Sequence, residues 1–97
     1  MAITVFFEFR LTPEAVSEAP AMLREILADT RAFEGCEGVD VLIDREDPAH
    51  LVLVERWESA EADAAYRQWR ATDGTTQLGT LLAGTPTSSS FATATDI

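Results

Sequence analysis

Histidine and cysteine each occur once in this 97-residue sequence, and those two scarcities remove several chemistries at the outset. A lone Cys36 makes no internal disulfide and no cysteine-cluster metal site. With only His50 to add, a zinc site would need an unusual set of carboxylates, so no metal is expected. No Ser-His-Asp set is read around the one histidine, which lies on a hairpin loop. Basic residues are also few: seven against seventeen acidic ones, a net charge of −10. Nucleic acid and anionic membrane both demand clustered cations, so neither is expected as a partner. No apolar run approaches the roughly 18 residues of a membrane span. The N-terminus lacks a basic segment followed by an apolar one, which makes the cytoplasm the expected location.

What the sequence does have is a globular balance, 46% hydrophobic and 25% charged. Residues 1–97 suit one domain, and one this short buries only about 60–65% of its unfolded surface. Pairing with a second copy is an ordinary remedy. The chain is organised around Leu51–Ser59. Leu51, Val52, Leu53 and Val54 are branched and apolar, as in a central strand covered on both faces. Alternation puts Leu51, Leu53, Glu55 and Trp57 on one face. A carboxylate and an indole on an otherwise apolar face mark a pocket floor.

The other elements follow in order. Ile3–Leu11 reads as a first strand, with Phe6, Phe7 and Phe9 favouring β structure. A helix over 17–33 is expected, with Ser17 as N-cap and Pro20 in the first turn, where its missing N–H costs nothing. Gly35 suits the left-handed residue after it. Val39–Asp44 is a second strand, and 45–50 a polar hairpin loop with an exposed, inert His50. Ser59, with Glu61 and Asp63, opens a second helix running to about Ala71, with Ala62, Ala65, Tyr66 and Trp69 inward. Leu78, Leu81 and Leu82 suggest one or two further helical turns, and 88–97 a weak last strand. The order β-α-β-β-α-β predicts an α+β, ferredoxin-like fold, with a four-stranded antiparallel sheet and both helices on one face. Phe6, Leu42, Val52 and Val54 would then line a bare sheet face, so a homodimer through that face is expected.

Gly35-Cys36 before a strand, Asp47-Pro48 in the hairpin and Val54-Glu55-Arg56-Trp57-Glu58-Ser59 resemble the antibiotic biosynthesis monooxygenase (ABM) family over essentially the whole chain. The resemblance implies a dimeric α/β barrel with a pocket between helices and sheet in each subunit. Members of that family include cofactor-free oxygenases of anthrones or quinols, haem-degrading enzymes and isomerases. Aligned on Trp57, the anthrone oxygenases' pocket tryptophan is matched, while their asparagine, tyrosine and arginine fall on Leu53, Asp63 and Gln77. The haem-degrading members' asparagine falls on Phe9, their second-helix tryptophan on Tyr66 and their axial histidine on Thr76, which argues against haem.

The chain's own candidates are Trp57, Tyr66 and Trp69 as an aromatic slot, with Arg70 as its cationic edge and Glu55 as base. The plainer reading is that the aromatics fill a small core. For Glu55 it is an ion pair with Arg10, Arg56 or Arg70. Two functions stand from this reading. One is a cofactor-independent monooxygenase of a small aromatic phenol, quinol or polyketide-like substrate, with Glu55 and Arg70 catalytic and Trp57, Tyr66 and Trp69 holding the ring. The other is a non-catalytic, small-molecule-binding dimer on the same fold.

Overall fold

The computed structural model describes residues 1–97. The chain runs through β1 (Ile3–Arg10), a 3-10 turn at Pro13–Ala15, α1 (Ala19–Ala32), β2 (Cys36–Asp44), β3 (Asp47–Trp57), α2 (Ala60–Ala71), a second 3-10 turn at Leu78–Leu81 and β4 (Thr87–Ala92). The four strands form one antiparallel sheet in the order β2-β3-β1-β4. This is the expected ferredoxin-like α+β fold, and the Leu51 strand is central in it.

Register explains the layering. Val5, Phe7 and Phe9 of β1 lie opposite Glu55, Leu53 and Leu51 of β3, and Val39 of β2 completes the row across Glu55. Those side chains face the helices. Ten residues form the main core there, among them Phe9, Leu51, Leu53, Leu23 and Leu27. A second, smaller cluster of Val5, Trp57 and Tyr66 sits beside it. The opposite face carries Phe6, Leu42 and Phe91, all exposed. Phe6 and Phe91 meet edge to face, with centroids 5.7 Å apart.

Local sequence sets the helix limits. Ser59 caps α2 through its side-chain oxygen, which accepts from the Ala62 N–H at 3.1 Å. Pro20 lies in the first turn of α1, as its missing donor requires. The start of α1 differs from the expected 17–33 helix. Thr12-Pro13 first winds a 3-10 turn that buries Ala15, and α1 then begins at Ala19 without a side-chain cap. Gly35 has φ +90, and a side chain there would collide with Ala62, so α2 packs directly over this turn. The 45–50 loop is shorter than expected, because β3 already begins at Asp47. No helix is long and apolar enough to cross a membrane.

Candidate functional site

β3 delivers Glu55 and Trp57 to the helix side, and both are buried, at 3% and 0% exposure. A carboxylate so placed must be satisfied by the protein. The Trp57 indole N–H donates to Glu55 Oε1 at 3.1 Å. The same oxygen is ion-paired to Arg67 of α2. Arg67 Nε also donates to Asp63 Oδ1, one helical turn earlier, at 3.0 Å. Burial opposes the Arg67 charge. The Coulombic pull and hydrogen bond of Glu55, with those of Asp63, outweigh it and raise the guanidinium above its usual range.

Next to this pair lies a cavity of about 200 Å³ between the helices and the sheet. Phe7, Leu53 and Leu78 supply apolar wall, and Glu55, Tyr66, Arg67, Arg70 and Thr76 the polar positions. Three of the five sequence candidates, Glu55, Tyr66 and Arg70, are therefore brought together. Trp57 and Trp69 are not on that wall. Trp57 lies beneath Tyr66, with ring centroids 4.7 Å apart, and Phe33 closes on it edge to face at 6.1 Å. Trp69 stacks near Phe33 and faces a separate groove with Gly74. A ring laid directly on both tryptophans does not match this arrangement, because the chain's own aromatics occupy that space.

Arg70 is committed elsewhere. Its Nε donates to the Tyr66 hydroxyl at 2.8 Å, Nη1 to the Gly74 carbonyl at 3.1 Å, and Nη2 to the Ile26 carbonyl at 2.8 Å and Thr30 Oγ1 at 2.9 Å. Tyr66 and Thr30 are themselves 2.7 Å apart, and Thr30 donates to the Ile26 carbonyl at 3.2 Å. The consistent arrangement has Tyr66 donating to Thr30, so one network ties α1 to α2. The cation facing Glu55 is Arg67 rather than Arg10, Arg56 or Arg70. Asp63, four residues before Arg67, was the available signal for it. Thr30 carried a signal too, as the one polar residue in the inward stripe of Leu23, Leu27 and Phe33.

His50 also departs from expectation. It is half-buried on the open sheet face, with Nδ1 2.8 Å from Asp44 Oδ2 and Nε2 in an ion pair with Glu8. Hydrogen bonds to Asp44 and then Glu8 raise its pKa against the opposing effects of burial and Arg10. No group of three or more His, Cys, Asp or Glu side chains is placed to hold a metal ion.

The family model described as Antibiotic biosynthesis monooxygenase matches residues 2–77. Among solved structures, a protein from Mycobacterium tuberculosis is 27% identical with a TM-score of 0.77, over 99% of this chain and 98% of that one. A crystal structure described as an antibiotic biosynthesis monooxygenase is 24% identical with a TM-score of 0.79, over 95% and 98%. A conserved protein from Methanosarcina mazei is 22% identical with a TM-score of 0.79, over 94% and 91%. The last two likenesses are likenesses of fold. No curated protein matches.

Proposed function

The chain belongs to the antibiotic biosynthesis monooxygenase family, and on that footing we propose that it is a cofactor-independent monooxygenase of a single-ring phenol or quinol. The observation that carries this reading is the carboxylate of Glu55, 3% exposed, at the wall of a cavity beside a cation. The volume supports a small substrate. About 200 Å³ is below the roughly 300–1,000 Å³ of sites for drug-sized ligands. That size favours one ring over a fused polyketide.

The proposed chemistry exchanges ion-pair partners. A phenolic O–H set against Glu55 passes its proton to the carboxylate, and the phenolate takes over Arg67. The net charge of the site is unchanged, so the step avoids leaving a buried charge alone. The electron-rich ring carbon then gives an electron to O₂, and the two radicals combine into a C–O bond. Glu55 returns its proton to the outer peroxide oxygen, and as the O–O bond breaks the ring C–H proton leaves with that hydroxide as one water. One oxygen atom ends in a quinone carbonyl and the other in water. Tyr66 walls the ring, Trp57 fixes Glu55 through its indole N–H, and Arg70 holds the helix layer in place. Oxygen uptake with single-ring quinols, lost in Glu55→Gln, tests this.

A second reading has its own observation. Arg67 already neutralises Glu55 without a ligand, and Tyr66 and Phe33 cover Trp57. A binding module that holds the ring without oxidising it would look the same, and would bind a quinol with no oxygen uptake. In either reading the exposed face of Phe6, Leu42 and Phe91 is covered by a second subunit.

A further inference from the structure

A second cavity, about 290 Å³, lies between α1 and the hairpin end of β2. Leu27 is the one residue that lines both this space and the Glu55 cavity. Its origin is visible along β2. Val39, Val41 and Ile43 all point to the helix side, yet their exposure climbs from 5% to 36% to 57% toward the hairpin. The helix layer covers the start of the strand and leaves its end open. Leu23, Leu27, Val41, Ile43, Pro48 and Leu51 make an apolar floor and walls.

The charge of the lining is unlike that of the chain. Acidic residues outnumber basic ones seventeen to seven overall, but the only charged residues on this cavity are Arg24 and Arg31. They are seven residues apart, two turns of α1, and so share one face. Arg10, Arg56 and Arg67 are ion-paired to carboxylates, whereas neither Arg24 nor Arg31 has a carboxylate within ion-pair distance. Arg31 Nη2 donates to the Val39 carbonyl at 2.9 Å, which holds its guanidinium over the β2 side of the opening. Arg24 makes no side-chain hydrogen bond to the protein.

We propose that this cavity binds a small amphipathic carboxylate, of the size of octanoate or a single-ring aryl acid. Its apolar body lies along Leu23, Val41 and Ile43, and its carboxylate meets Arg24 and Arg31 at the mouth. Apolar burial supplies the bulk of the affinity and the two guanidinium groups select the anion. The face proposed above for a second subunit is on the other side of the sheet, so the cavity stays open in such a dimer.

Titration calorimetry of the full chain with octanoate and octylammonium, each up to about 10 mM, and with octanol up to its solubility limit, tests the proposal at the affinity expected of a ligand with so few atoms. Octanoate is expected to bind, octanol to bind at least ~10-fold more weakly for want of charge-assisted hydrogen bonds, and octylammonium not at all. Arg24→Glu, on an exposed helix face, is expected to weaken octanoate at least ~10-fold without changing the thermal midpoint beyond error. Ile43→Trp, which fills the opening from an exposed position, abolishes binding. Equal binding of octanol and octanoate, or octanoate affinity unchanged in both variants, overturns the proposal. Octanoate binding that appears only after removal of residues 93–97 also overturns it, assigning the cavity to the C-terminal tail.

Discussion

Trp57 donates its indole N–H to the carboxylate of Glu55, two residues earlier on the same strand, at 3.1 Å. Both side chains face the helix layer because a strand repeats every two residues, and both are buried. The indole is thus a fixed donor to a carboxylate that also meets Arg67 of α2. Strand periodicity, helix placement and the acid–base capacity of the site converge on this pair.

Removing the cation exposes the cost of that arrangement. Arg67→Met leaves Glu55 buried with the Trp57 donor alone. The loss is expected at about 2–3 kcal/mol, below the ~3–5 of a fully enclosed pair because the Arg67 side chain is 39% exposed. Urea unfolding at neutral pH reads it as a lower midpoint at unchanged slope.

The Thr30–Tyr66–Arg70 network is expected to behave as a unit. Tyr66→Phe removes the acceptor of Arg70 Nε, and Thr30→Val removes a hydroxyl that is 0% exposed. Each costs about 1–2 kcal/mol. The double variant costs clearly less than the sum, because the two hydroxyls share partners. Additive losses in a double-mutant cycle would show that the groups act separately.

Stability depends on pH through His50. Its pKa is raised in the folded protein, by hydrogen bonds to Asp44 and Glu8. Its stabilising contribution is complete below the unfolded value, near about pH 6.5, and is lost as pH rises through the higher folded value. Asp44, lowered chiefly by its bond to His50, acts in the opposite sense and loses its contribution in acid. The urea midpoint is expected to fall as pH is raised from about 6 to about 8. In His50→Gln that part of the fall disappears. An identical profile in the variant would place the titration elsewhere.

The open sheet face gives a test by mass. Phe6→Glu puts a charge beside Phe91, 5.7 Å away ring to ring, and is expected to convert a dimer to a monomer in sedimentation velocity. A monomeric parent protein would contradict a covered face.

The parts of the fold that sequence made legible were those set by local chemistry. The alternation of Leu51, Leu53, Glu55 and Trp57, the Ser59 cap, the Pro20 position and the Gly35 turn each follow from one residue's geometry. Pairing was less legible. Cys36 joins β2 because it lies opposite Trp57, with a register shift before Gly38. Asp47 joins β3 because it faces Asp44, which leaves a two-residue turn. Asp disfavours strands on its own, and Cys36 is followed by Glu37 and Gly38, which do so too. The last strand is shorter than 88–97 and exposed throughout, since serine and threonine give β4 no apolar face to bury.

The site was legible as a strand and half a helix. Arg67 and Arg70 sit three residues apart on neighbouring faces of α2, and spacing alone does not say which one meets Glu55. The carbonyls of Ile26 and Gly74 take up Arg70, and those partners come from tertiary packing. The burial of Trp57 under Tyr66 and Phe33 likewise depends on how α1 and α2 close over β3.

Oxygen consumption by the parent protein and by Glu55→Gln, with a panel of single-ring quinols and the spontaneous rate subtracted, bears most directly on the proposed chemistry. Glutamine keeps the shape and the acceptor for Trp57 but cannot take the proton. The parent is expected to consume one O₂ per hydroxyquinone formed with no H₂O₂ released, and the variant to lose at least ~100-fold in rate, the low end of a general base's contribution, while still binding the quinol. Equal rates in the two proteins, or tight quinol binding by the parent with no oxygen uptake, would contradict the monooxygenase reading.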